Sequence, residues 1–111
     1  MRIELVVPER AGAGQEFTVR ALLVNDTYEP AEIWRNAFVG PTATPQGGGP
    51  IPPAVEPTYG QDESPLLLQP FTFYGRDRQA GGFSPGVVVV TATYRPDSGE
   101  SLWVSREVVI D

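Results

Sequence analysis

The chain contains no cysteine and no histidine. Without cysteine there is no disulfide framework, no thiolate nucleophile and no cysteine-ligated zinc. Without histidine the usual general base and the commonest transition-metal ligand are missing too. Together these absences exclude most small-enzyme constellations and leave only carboxylate or metal-assisted chemistry. Lysine is also absent: all 8 basic residues are arginines, set against 14 acidic ones, for a net charge of −6. That balance disfavours a nucleic-acid backbone or an anionic membrane as partner. No apolar run approaches membrane-spanning length, and no signal-peptide core follows Met1, where Arg2 and Glu4 stand instead. With Met1 as the native start, a cytoplasmic location is expected.

What remains is the composition of a β-domain. The 111 residues suffice for one domain over 1–111 with its own core. The 12 prolines and 12 glycines cluster between segments in which apolar and polar residues alternate. Ile3, Leu5 and Val7 alternate in a first strand, Arg2 to Val7, which Pro8 ends. Phe17, Val19, Ala21 and Leu23 share one face of a second, Glu16 to Val24. Asn25 to Pro30 is turn chemistry, because Asn and Asp side chains can bond their own backbone. Ala31 to Val39 reads as a third strand whose imperfect alternation predicts a bulge.

From Gly40 to Pro65 the sequence runs GPTATPQGGGPIPPAVEPTYGQDESP. No helix or central strand passes comfortably through so much proline and glycine, so a long loop is predicted. Leu66 to Leu68 and Phe71 to Tyr74 follow as one or two strands broken at Pro70, and GRDRQAGGFSPG reads as a connection. Val87 to Tyr94, four valines and TATY, has the pattern of a strand buried on both faces. Arg95 to Glu100 predicts a hairpin turn with Gly99 in the left-handed position, and Leu102 to Ile110 is the last strand. No stretch has the period of an amphipathic helix. About seven short strands with turn signals between them argue for a two-sheet all-β sandwich.

Four groups of residues are candidates for function. Within the long loop, Pro50 and Pro53 have a PxxP spacing suited to an aromatic groove, and Tyr59 adds a ring; the loop could equally cross between sheets and cover an edge. Trp103 falls on the face of the last strand opposite Leu102, Val104, Val108 and Ile110, where it could anchor a partner or lie under a loop. Leu22, Val24, Val87 and Val89 stand opposite the inward residues of their own strands. If those strands are neighbours they form an apolar outer patch for a partner or a second copy, unless the long loop covers it. Trp34, Phe38, Tyr74 and Tyr94 could line a ligand pocket with Arg106, which shares parity with apolar residues and would need a counter-charge if buried. Trp34 is also expected in the core, where sandwiches often bury a tryptophan on the third strand. Asp62-Glu63 and Asp97 with Glu100 are loop acids that match no complete calcium loop, so no metal, cofactor or catalytic residue is assigned.

The Phe17–Asn25 strand running into a polar turn, the segment LQPFTFYGR, and Ser84-Pro-Gly leading into a valine strand that ends at Tyr94 resemble bacterial immunoglobulin-like and fibronectin-type-III-like modules. That resemblance implies a single immunoglobulin-like sandwich of antiparallel strands with the 40–65 loop inserted between two of them. The expected function is a non-catalytic protein-binding or assembly module, using an apolar sheet face and the loop, with homodimerisation as its simplest form. One alternative rests on Asn25-Asp-Thr-Tyr, Gln46-Gly-Gly-Gly49 and Tyr94-Arg-Pro96, whose order is similar to the three inhibitory loops of chagasin-type inhibitors of cysteine proteases. The family's NPTTG and RPW are NDTYE and RPD here. The other alternative is a small-molecule or carbohydrate binder, extending to a pathway-specific enzyme.

Overall fold

The computed structural model describes residues 1–47 and 65–111. In chain order the strands are β1 (Arg2–Val6), β2 (Arg10–Ala11), β3 (Phe17–Val24), β4 (Ala31–Trp34), β5 (Phe38–Pro45), β6 (Pro65–Leu68), β7 (Phe73–Ala80), β8 (Gly86–Tyr94) and β9 (Leu102–Ile110). A 3-10 turn over Arg35–Ala37 lies between β4 and β5, and there is no α-helix among the described residues. The protein is all-β. One sheet has the order β1-β3-β7, a second the order β2-β9-β8-β5, and β4 pairs with β6 in a third. Every ladder is antiparallel except the short β2–β9 pair.

The alternation seen in the sequence decides which face each strand buries. Val19, Ala21 and Leu23 of β3 meet Val88, Val90 and Ala92 of β8 and Val108 of β9 in one buried cluster, joined by Ile33 and Phe38. Complete burial of a Val, Leu or Ile side chain contributes about 1.5–3 kcal/mol. The cluster therefore dominates the stability. Pro8 explains the crossing at the first edge. Lacking an N–H, it cannot continue a ladder, so β1 ends and the chain joins the other sheet, where Val109 N–H donates to Glu9 O at 3.0 Å and Asp111 N–H to Ala11 O at 3.0 Å.

Several expectations need correcting. Ala31 to Val39 is not one strand: β4 ends at Trp34, and the 3-10 turn carries the chain from the β4–β6 pair into β5 of the four-stranded sheet. Regular structure does not stop at Gly40, since Thr42, Ala43 and Thr44 pair with Thr91, Val90 and Val89. Proline survives there because β5 is the last strand of its sheet. The irregularity falls at Gly40, between Val39 and Thr42. Its φ is +104°, and a Cβ would stand 2.8 Å from Thr91 O, so only glycine fits. Gly75 to Ala80, read as a connection, belongs to β7. Its charges disguised a strand whose even positions, Arg76 and Arg78, reach across the sheet edge to β5: Arg76 donates to Phe38 O and, at 2.6 Å, to Arg35 O, and Arg78 donates to Pro41 O at 3.3 Å. Val87–Tyr94 is buried on one face only, with Val87, Val89, Thr91 and Thr93 half-exposed on the other. The hairpin is as expected, with Tyr94 opposite Leu102 and Gly99 at φ +103°.

Candidate functional site: an outer sheet face and a cleft at its end

The register of the four-stranded sheet assembles its outer face. Residues directly opposite in an antiparallel ladder share a face. Val39 lies opposite Thr93, and Thr93 opposite Trp103. The rows beyond hold Thr42 with Thr91 and Ser105, Thr44 with Val89 and Glu107, and Val87 with Val109. Glu107 is the one charge that β5, β8 and β9 contribute to this face. Trp103 is 72% exposed and Val39 is 58% exposed. An indole left in water on a β-branched, uncharged surface is the kind of feature that anchors a partner.

The edge of this sheet is protected in a different way. Among the described residues, β2 pairs with β9 only at Val109 and Ile110, which leaves Leu102 to Val108 with a bare outer ladder. Arg106 stands on the inward parity of that stretch, opposite Val90, yet is exposed and donates to Ser105 O at 3.1 Å. An inward-pointing charge on an edge discourages another strand from adding there. The bare edge thus carries its own deterrent.

Among the described residues, the rings expected to line a pocket are divided between core and surface. Phe38 and Tyr94 are core residues, and Arg76, not Arg106, lies 5.0 Å from the Phe38 ring centroid and 5.6 Å from that of Tyr74. The four rings do not converge because Trp34 faces the other way. Ile33 takes the inward position of β4, and Trp34 is 39% exposed rather than core. Trp34 instead lines a cleft of about 370 Å³ with Asn36, Ala37, Arg95, Asp97 and Ser98. One wall is the end of β4 and the 3-10 turn; the other is the β8–β9 hairpin. Two bonds fix the walls relative to one another: Trp34 N–H donates to the Tyr94 hydroxyl at 3.1 Å, and Arg95 N–H donates to Ala37 O at 3.0 Å.

The polar turn after β3 works as expected and does more. Asn25 is completely buried; its Oδ1 accepts from Thr27 N–H at 3.1 Å, while its Nδ2 donates to Glu29 O at 2.8 Å and Leu68 O at 3.0 Å. One amide thereby ties two loops together. Phe71, whose N–H donates to Asn25 O at 2.8 Å, sits at φ +57°, a conformation that a bulky residue rarely takes. Its ring meets Tyr28 edge-on at 5.0 Å, and both rings are exposed.

The remaining candidates fall apart in space. Leu22 and Val24 are in the three-stranded sheet and Val87 and Val89 in the four-stranded one, so the four do not form a single patch. Val87 and Val89 share the Trp103 face, whereas Leu22 and Val24 stand among Arg2, Glu4, Gly75 and Phe73. Of the three segments similar to the loops of chagasin-type inhibitors, Gln46 is bonded to Val87 at one end of β8 and Tyr94–Pro96 leaves the other end, while Gly48 and Gly49 lie outside the described residues. Pro50, Pro53, Tyr59, Asp62 and Glu63 lie outside the described residues. Asp97 and Glu100 are exposed hairpin residues, and among the described residues no three His, Cys, Asp or Glu side chains group to hold a metal. Val39 and Thr93 of the face, and Asn36 and Ser98 of the cleft, were not singled out from the sequence, and Arg95 only within the Tyr94-Arg-Pro96 motif. Only strand pairing identifies them, and residue types that common carry no signal of it. No protein-family model matches the chain, and no curated protein matches it in sequence.

Proposed function

We propose that this chain is a non-catalytic protein-binding or assembly module, built on an immunoglobulin-like β-sandwich, that docks through the outer face of β5, β8 and β9. The order β1-β3-β7 against β2-β9-β8-β5, with the first edge strand shared between the sheets, supports the sandwich reading. The observation that carries the function is Trp103, exposed at the end of a row that runs from Val39 through Thr93. The simplest partner is a second copy, because a self-complementary apolar face with so little charge has no like-charge repulsion to overcome at its centre. Three strands about 4.8 Å apart and about 30 Å long present roughly 400 Å² of projected area. That is at the small end for a specific interface, so the association is transient rather than obligate.

Light scattering over a dilution series tests this. The expected result is a concentration-dependent dimer, abolished by Trp103→Ser and retained by Leu22→Ser on the opposite sheet. A monomer at every concentration overturns self-association. A dimer indifferent to Trp103→Ser overturns the assignment of the face.

A further inference from the structure

We infer that the cleft between the 3-10 turn and the β8–β9 hairpin is a binding site for an uncharged saccharide, a role separate from that of the sheet face. The inference begins with which side chains the cleft combines. Trp34 supplies a partly exposed indole, whose face accepts the C–H surface of a sugar ring. Asn36, Arg95, Asp97 and Ser98 surround it with amide, guanidinium, carboxylate and hydroxyl groups, donors and acceptors both.

Charge then narrows the ligand. Among the described residues, Arg95 and Asp97 are the only ionised side chains in the lining, and they are of opposite sign. A phosphate or carboxylate ligand meets Asp97, and an ammonium ligand meets Arg95; each loses on one what it gains on the other. A purely apolar ligand strands all four polar side chains. A polyhydroxylated ring satisfies every group at once, because vicinal hydroxyls donate to a carboxylate and accept from a guanidinium in the same plane. The volume of about 370 Å³ lies in the lower part of the range for ligand clefts, enough for one or two sugar rings.

The frame is also made before a ligand arrives. The Tyr94 hydroxyl holds the backbone of Trp34, and Ala37 O holds the backbone of Arg95, so both walls are anchored at their base. Preorganisation of this kind lowers the ordering cost of binding. The hairpin beyond Arg95 stays open to solvent, so a ring can enter from the end of the molecule.

Trp34 and Trp103 are the only two tryptophans in the chain. A nitrogen-15 correlation spectrum therefore has two indole N–H signals, one for the cleft and one for the sheet face, and Trp103→Phe identifies which is which. The titrants are the methyl α- and β-glycosides of glucose, galactose and mannose, with maltose and cellobiose. At least one sugar is expected to shift the Trp34 signal saturably at millimolar concentration while Trp103 stays in place. Asp97→Ala, on the exposed hairpin, should weaken that binding about tenfold, the loss of a hydrogen bond to a charged group. No saturable Trp34 shift with any of these sugars, or one that Asp97→Ala leaves unchanged, overturns the inference.

Discussion

The outer faces of the two larger sheets are finished in opposite ways. On the three-stranded sheet, Arg20 holds Asp77 across the β3–β7 ladder with contacts of 2.6 and 2.9 Å, and Gln79 donates to Thr18 at 2.8 Å. Arg2 bonds Glu4 at 2.8 Å along β1. On the four-stranded sheet the corresponding rows of β5, β8 and β9 are valine, threonine, Ser105 and one exposed tryptophan, with Glu107 as their one charge. Both strand sets contribute side chains to the same buried cluster on their inner faces. Cross-strand ion pairs keep a sheet face wetted and intolerant of a second sheet, while a β-branched uncharged face costs little to desolvate. The contrast is in charge rather than in apolar area, since Val6 and Phe73 are also exposed on the three-stranded sheet.

The most direct way to break the contrast is to put a charge where there is none. Thr93→Asp, between Val39 and Trp103, should abolish self-association by leaving an unpaired carboxylate to be desolvated beside the Trp103 anchor, a loss of about 2 kcal/mol or more. Its cost in folding should stay near about 1 kcal/mol, the range of strand propensity, and light scattering with thermal melts separates the two. Next in size is the polar hub at the end of the three-stranded sheet. Asn25→Ala leaves the carbonyls of Glu29 and Leu68 without their amide donor, and should lower stability by about 2 kcal/mol in urea titration. Association should be untouched, because Asn25 is on neither outer face. Phe71→Gly relieves a positive φ and should raise stability by about 1 kcal/mol at most, again with no change in association.

How far these differences could be read in advance depends on their range along the chain. Alternation over four or more residues is local, so β1, β3, β8, β9 and the hairpin between the last two were legible, and with them the buried parity of Val19, Leu23 and Val108. The break at Trp34 was not, since the 3-10 turn depends on where Ile33 must pack rather than on its own residues. The strand Gly75–Ala80 was hidden because Arg76 and Arg78 occupy inward positions and satisfy themselves on the backbone of a strand some forty positions earlier. Of the binding face, Trp103, Val87 and Val89 were visible as outward residues. What was not visible was that Leu22 and Val24 belong to another sheet, because pairing is a long-range property and a valine looks the same in either. The cleft was the least legible part, assembled from Asn36 and Arg95, residues unremarkable in isolation, by a register that brings two turns together.

The smallest effect, and the one that sharpens the comparison most finely, is in the pH dependence of the charged face. The hydrogen bonds from Arg20 hold the Asp77 carboxyl below the usual carboxylate range. A carboxyl whose pKa is lower folded than unfolded binds protons more readily when unfolded, so its contribution to stability is complete above the ordinary value of about 3.9 and is lost as pH falls through the folded value. Asp77→Asn should therefore be slightly less stable than the parent at neutral pH, and the gap should close as the solution is acidified below about pH 4. Because the pair is exposed, added salt should shrink the gap at neutral pH as well. Self-association of Asp77→Asn should follow the parent at every pH where both are folded, since the carboxylate is on the face assigned to water. A variant that began to associate through its newly neutral face would be equally informative: the ion pair would then be what keeps the three-stranded sheet from a partner, and the difference between the two faces would rest on a single residue.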